Sequence, residues 1–306
     1  MENKFDDYAI GWIRDYPDFR DFTTEHDKVP ARLTAAGQTR TVREMLDKVG
    51  ILRAEKSDLP VETDLTSWCP PIEDQGKIGS CTAHAGVALL EYFERKAFGN
   101  HIDASRLFLY KTTRNLLHLT GDSGASIRAT MGALTLLGVP PEEYWPYNPA
   151  DFEKEPSGFC YGLAQNYQAI TYYRLDPSGI KPETLLLTIR KSLAAGLPAM
   201  FGFVVYDSYR QATKTGYIPF PESGDKMVGG HAIVAVGYND AIKIKNTRIG
   251  STQTTGALLI RNSWGESWGA GGYGWLPYEY VLKGLAVDWW SILKCEWIDT
   301  GEFILG

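Results

Sequence analysis

The stretch Gln75-Gly-Lys-Ile-Gly-Ser-Cys81 carries a glutamine and two glycines through a turn and straight into a segment of small and apolar residues that opens on a cysteine. From Thr82 onward Ala85, Leu89, Tyr92 and Phe93 recur at spacings of three and four, which predicts a packed helix. Such a helix is central and buried, and the rest of the chain has to be arranged around it. A helix start leaves its first backbone N–H groups unpaired and carries the positive end of the macrodipole, so a thiol placed there is expected to ionise more easily than in free solution. The thiolate is the attacking species, which makes Cys81 a candidate nucleophile.

Two later segments fit as partners. Gly229-Gly-His-Ala-Ile-Val-Ala-Val-Gly-Tyr238 sets His231 at the mouth of an apolar, β-branched run that reads as a buried strand. Ala257-Leu-Leu-Ile-Arg-Asn-Ser-Trp-Gly265 delivers Asn262 at the end of another. A nucleophile at a helix start, a histidine on one strand and an amide on the next form the cysteine–histidine–orienter set used in acyl transfer. Each residue alone has a duller explanation: a buried cysteine is usually a small hydrophobe, and a strand histidine a satisfied polar group. Their joint occurrence in this order, with Gln75 added, favours catalysis.

Gln75 ahead of Gly-x-x-Gly-Ser-Cys81, then Gly230-His231-Ala, then Arg-Asn262-Ser-Trp-Gly-x-x-Trp-Gly269, resembles the papain-like cysteine peptidases. His231 lies at the upper end of the roughly 130–150-residue separation usual in papain and the cathepsins, and Asn262 beyond it, which suggests loop insertions such as Asp240 to Gly256. The resemblance implies that Gln75 and the Cys81 backbone N–H receive the oxyanion and that Trp264 shields the His231–Asn262 hydrogen bond. It also implies that Gly124, Ala125, Gly230 and Trp264 line the substrate cleft. Two departures leave the substrate site open: Ile78 stands where many relatives carry a disulfide cysteine, and Thr82 replaces the aromatic residue that follows the nucleophile.

The implied activity is endopeptidase cleavage through an acyl-enzyme, with a peptide or protein as substrate and no cofactor. An exopeptidase, an acyl transferase or a non-catalytic binding protein on the same fold are the alternatives. Cys81 and His84 are three apart on one helix, as metal ligands can be, but a structural zinc site needs about four ligands and no second paired motif occurs, so no metal is expected. A net charge of −6 without a long basic run argues against nucleic acid as a partner. No stretch approaches the roughly 18 apolar residues of a membrane span. The acidic opening Met-Glu-Asn-Lys-Phe-Asp-Asp lacks the apolar core of a secretory signal, which favours a cytoplasmic location and leaves secretion open. If Cys81 is free, Cys69, Cys160 and Cys295 form at most one bridge; cysteine this sparse suits a reducing compartment.

In chain order, residues 1–60 read as an N-terminal arm. Gly11 to Phe22 alternates aromatic rings with Asp and Arg as an extended strip, and Thr41-Val-Arg-Glu44 is a capping box ahead of a short helix that Gly50 stops. In relatives a segment in this place often lies across the cleft; here a cleft-blocking arm and one clamped elsewhere on the surface both stand. Residues 61–167 read as a helical lobe that carries the nucleophile, with helices over Ser105–His118 and Ser126–Gly138 and a loop at Thr120–Ala125. Residues 168–306 read as a β-rich lobe that carries His231 and Asn262, with a tail after Tyr278 anchored by Trp289, Trp290 and Trp297. Helices first and strands later indicate an α+β fold, papain-like on the resemblance, with a helical lobe, an antiparallel barrel-like lobe and the cleft between them.

Overall fold

The computed structural model describes residues 9–29, 31, 34, 38–295 and 298–299. Helix α1 (Val42–Lys48) begins as its sequence requires: the Thr41 hydroxyl accepts the Glu44 N–H, the Glu44 carboxylate accepts the Thr41 N–H, and Gly50 follows at φ 78°. Val42 and Leu46 bury its inner face. A short strand β1 (Glu62–Asp64) then leads to helix α2 (Cys81–Phe98), which ends at Gly99 in the left-handed conformation.

Every residue of α2 from Cys81 to Phe93 is buried, the mark of a helix with neighbours on all sides. Helices α3 (Arg106–Leu116) and α4 (Ile127–Leu136) pack on it, each capped by a serine: Ser105 accepts the Phe108 N–H and Ser126 the Ala129 N–H. Gly86 lets α2 come close to α4, because a Cβ there would sit 3.1 Å from Thr130 Cγ2 and 3.3 Å from Leu134 Cδ1. Helix α5 (Gly158–Ala164) closes this helical region.

The remaining face of α2 lies on an antiparallel sheet. Its strands are β2 (Ala169–Arg174), β3 (Ala199–Tyr206), β4 (Met227–Lys245), β5 (Gln253–Arg261), β6 (Tyr273–Pro277) and β7 (Ala286–Cys295), in the spatial order β2-β7-β3-β4-β5-β6. Helix α6 (Pro182–Ala194), with proline in its first turn, connects β2 to β3, and α7 (Glu279–Leu282) connects β6 to β7. Strand β1 pairs with β4, and β8 (Ile298–Asp299) with β7. The sheet runs open from β2 to β6, so it is barrel-like only loosely. The architecture is the expected α+β.

Two expectations are corrected. The segment after Tyr278 is more than a tail, since β7 inserts between β2 and β3. Trp289 and Trp290 are fully buried there, and Phe201 stacks on Trp289 with ring centroids 3.9 Å apart. Trp297 lies outside the described residues. Asp240 to Gly256 is largely strand: β4 and β5 continue past an irregularity to pair Lys243 with Thr255, Ile244 with Thr254 and Lys245 with Gln253, leaving a loop over 246–252. Buried Ile244, whose carbonyl accepts the Thr254 hydroxyl, holds this extension together.

A buried ion cluster ties the arm to the sheet. Arg174, 1% exposed, meets Asp176 at 2.9 Å, Asp288 at 3.3 Å and Asp21 of the arm at 3.4 Å, while Arg128 meets Asp15 and Asp21 at 2.6 and 2.7 Å. Arg174 N–H also donates to the Phe22 carbonyl. Removing one partner from such a cluster strands a buried charge.

The sheet core rests on the Phe201–Trp289 stack. Phe201→Ala is expected to lower the unfolding free energy by about 3–5 kcal/mol in urea titrations. Ile249→Ala, at a fully exposed loop position, is expected to change it by about 0.5 kcal/mol or less.

Candidate active site

The first residue of α2 and the neighbouring strands β4 and β5 bring the three predicted groups to one place. Cys81 opens α2, His231 lies in β4, and Asn262 follows the last residue of β5, which pairs with Val234 of β4. His231 Nε2 lies 2.8 Å from Asn262 Oδ1. That oxygen also accepts the Ser263 N–H at 2.8 Å, so it acts as an acceptor and the imidazole carries its proton on Nε2. His231 Nδ1 then bears the free lone pair. The backbone N–H of Ala232, the residue after His231, faces the Cys81 sulfur and favours its thiolate, which brings the sulfur near the histidine's strand position.

Trp264, 2% exposed, stacks on the His231 ring with centroids 4.6 Å apart, and Trp268 meets Trp264 edge-on. Gln75 is fixed at both ends of its amide: Oε1 accepts the Ser263 hydroxyl at 2.6 Å, and Nε2 donates to the Ile78 carbonyl at 3.1 Å. Ser263 therefore joins the loop after Asn262 to the turn before Cys81, a link that sequence spacing does not reveal. Asp122 is another residue missed by sequence: it accepts the Gly79 N–H and the Tyr110 hydroxyl, holding the loop at 120–125 to the turn that precedes Cys81. Tyr209, whose hydroxyl accepts from Asn262 Nδ2 at 3.2 Å, was also outside the motifs. His84, weighed above as a metal ligand, instead sets its Nδ1 within 3.1 Å of the Ser80 carbonyl and its ring edge-on to Tyr147.

The cleft holds the chain's own N-terminal strip. Ala125 N–H donates to the Gly11 carbonyl at 2.8 Å, Ile13 N–H to the Ala125 carbonyl at 2.9 Å, and Trp12 N–H to the Gly230 carbonyl at 3.1 Å. Gly124, Ala125 and Gly230, the residues expected to face a substrate backbone, thus face residues 11–13. The approach is backbone to backbone: a Cβ on Gly124 would sit 2.1 Å from the Gly11 oxygen, and one on Gly11 would sit 2.0 Å from the Gly79 oxygen. Gln75 Nε2 donates to the Ala9 carbonyl at 3.0 Å, and the Gly11 N–H points at the Cys81 sulfur.

This occupancy reverses the electrostatic expectation. Burial pushes the Cys81 thiol up to about 11, against backbone hydrogen bonds from Ala232, Gly11, Thr82 and Cys81 itself that favour the thiolate. Burial likewise lowers His231 to about 4, opposed by its bond to Asn262. With the strip in place, burial works against both the thiolate and the imidazolium and outweighs the backbone N–H groups at the helix start. Cys69, Cys81 and Cys160 are free thiols.

A profile of the papain family cysteine proteases matches residues 59–282. An uncharacterized peptidase C1-like protein of Acanthamoeba polyphaga mimivirus is 33% identical over 296 residues, covering 92% of this chain and 86% of that protein. Xylellain, a cysteine protease from Xylella fastidiosa, superposes with a TM-score of 0.69 at 35% identity, over 92% of this chain and 95% of that one. The digestive procathepsin L 3 of Tenebrio molitor larval midgut shares the fold at 19% identity and a TM-score of 0.58, over 78% and 72% of the two chains. The helices followed by an antiparallel sheet are thus the papain-like fold, and the chain belongs to the papain family of cysteine proteases.

Proposed function

We propose that the chain is a latent cysteine endopeptidase that uses Cys81, His231 and Asn262 and is held closed by its own residues 9–13. The observation that carries this reading is the 2.8 Å bond from His231 Nε2 to Asn262 Oδ1, with the Cys81 sulfur on the neighbouring Ala232 amide. Once the strip leaves and a peptide enters, His231 Nδ1 takes the Cys81 proton and the thiolate adds to the substrate carbonyl carbon. Gln75 Nε2 and the Cys81 N–H receive the oxyanion. The imidazolium then protonates the leaving amine, and water, deprotonated by His231, hydrolyses the acyl-enzyme. Trp264, stacked on the imidazole, keeps water from the His231–Asn262 bond.

The strip supports latency group by group. The Ala9 carbonyl takes the Gln75 donor meant for the oxyanion, the Gly11 N–H covers the sulfur, and Gly11 to Ile13 fill the backbone sites of Gly230 and Ala125. It also favours cleavage within a chain. Ala9 lies on the Gln75 side of Cys81 and Ile13 on the Ala125 side, so the groove accepts a chain that continues past the sulfur in both directions.

On fluorogenic peptides blocked at both ends, Cys81→Ala is expected to abolish turnover and Gln75→Ala to lower kcat by about 100–1000-fold. A wild-type rate that survives Cys81→Ala would sink the assignment.

Latency is read from alkylation of Cys81 by iodoacetamide. In the closed chain the thiol ionises only near pH 11, so the labelling rate should be low at pH 7 and climb toward pH 11. Trp12→Ala or Gly11→Val in the full chain should raise the pH 7 rate by about tenfold or more, the population shift expected on losing one large buried side chain or a close backbone contact. Equal rates in wild type and both variants would remove the latency reading.

A further inference from the structure

The turn that carries Gln75 is tied to the loop at 120–125 through a single peptide unit. Gln75 Nε2 donates to the Ile78 carbonyl at 3.1 Å, and the N–H on the other side of the same peptide plane, that of Gly79, donates to Asp122 Oδ1 at 2.8 Å. No peptide bond among the described residues is cis, so this C=O and N–H point in opposite directions from one rigid plane. A pull on either end sets the other.

Asp122 passes the connection on. Its Oδ1 also accepts the Tyr110 hydroxyl at 2.5 Å, and that hydroxyl in turn accepts the Gly124 N–H at 3.1 Å. Burial, reinforced by the bond to Asp122, holds the Tyr110 hydroxyl far above its usual range, so it keeps the proton it shares. Below it Arg114, fully buried, sets its guanidinium 4.4 Å from the Tyr110 ring centre and donates to the Gly121 carbonyl at 2.6 Å, fixing the other end of the loop. Hydrogen bonds thus run without a break from Gly124, next to the Ala125 amide that pairs with Gly11, to Gln75 Nε2.

Turn and loop also touch. A Cβ on Gly79 would sit 3.3 Å from Asp122 Oδ1 and 3.4 Å from Gly124 Cα, so the two meet at bare backbone. Gly121 and Gly124 stand at φ 72° and 73°, a conformation that other residues rarely adopt, and a loop built on it takes its shape from whatever holds it. Cys81 is the turn's one cysteine and is a free thiol, so hydrogen bonds are the fastening. A carboxylate on the Gly79 N–H polarises the peptide and strengthens the bond that its carbonyl accepts from Gln75.

We propose that Asp122 is a positioning residue of the reaction: it orients the Ile78–Gly79 peptide, that peptide aims the Gln75 oxyanion donor, and through Tyr110 the pairing of a substrate with Ala125 is felt at the donor. This rests on the peptidase reading above and adds to it a route by which binding along the groove is converted into rate. Only contacts that strengthen in the transition state raise kcat, and a donor aimed by the loop that receives the substrate makes such a contact.

Asp122 is exposed, so truncating it opens no hole in the core. In the full chain carrying Trp12→Ala to loosen the strip, Asp122→Ala should lower kcat on blocked peptides by about tenfold while KM stays within a few-fold. Asp122→Asn keeps an acceptor oxygen for both donors and should recover most of that loss. With Gln75→Ala also present, removing Asp122 should cost about twofold or less, because Asp122 acts through Gln75. A merely structural role would lower the amount of reactive enzyme instead, so kcat is counted per Cys81 labelled by iodoacetamide. An Asp122→Ala loss that is the same with and without Gln75, or a kcat per labelled thiol that Asp122→Ala leaves unchanged, overturns the proposal.

Peptides lengthened one residue at a time test the link to the loop. At the step that gains most in kcat/KM, the gain should lie in kcat when Tyr110 is present and in KM alone in Tyr110→Phe, which loses both the acceptor for Gly124 and the donor to Asp122. A kcat gain that survives Tyr110→Phe overturns the proposal, and this contrast decides if Asp122→Ala does not fold. Should Cys81 be labelled freely while no peptide is cut, the peptidase reading fails by itself. The side-chain amide of Gln75, followed by 15N NMR, then judges the peptide link: it stands if Asp122→Ala moves those signals and hastens their hydrogen exchange, and falls if they are unchanged.

Discussion

A helix buried on every face has no freedom to slide, and in this protein that constraint fixes the position of a sulfur atom. Helix α2 meets α3 and α4 on one side, with Gly86 permitting close contact to Thr130 and Leu134, and the sheet on the other. Its first residue is thereby set against the Ala232 amide, one position from His231. Asn262 comes to the same place because β5 pairs with β4, and Gln75 because Ser263 bonds its side-chain oxygen. Cys81 and His231 are thus placed by a packed helix and a paired strand, while Gln75 and Asn262 sit on loops that the Gln75–Ser263 hydrogen bonds hold together.

Local chemistry was legible in the sequence where a motif is self-contained. The Thr41–Glu44 capping box, and the segments that set His231 beside Asn262, each carry their meaning within about ten residues. What could not be read was long-range. Strand β7 lacks alternation because it is covered on both faces, so Ala286 to Leu293 looked like an aromatic tail. The link between Ser263 and Gln75 spans most of the catalytic region, and the insertion of Trp12 between Gly202 and Gly230 depends on two glycines whose spacing signals nothing.

The sequence also misjudged ionisation, for an instructive reason. A helix terminus and four backbone amides all favour the Cys81 thiolate, yet the buried sulfur is harder to ionise than a free thiol. Fields from fixed dipoles count for little against the loss of water when no cation shares the site. Burial under the same cover also lowers His231, so both charged forms, the thiolate and the imidazolium, are disfavoured together. On the proposed reading, covering the cysteine and histidine changes their hydration and leaves their positions alone.

The strip and the groove it fills belong to one covalent chain, joined through α1, whose Val42 and Leu46 are sunk in the core. If the strip opens and closes as proposed, closure is a unimolecular event governed by an effective concentration, and dilution does nothing to weaken it. On the proposed reading, a substrate competes with a tethered segment whose local level stays the same at any protein dose. Only severing the tether turns that contest into an ordinary bimolecular one, after which the freed segment can diffuse away.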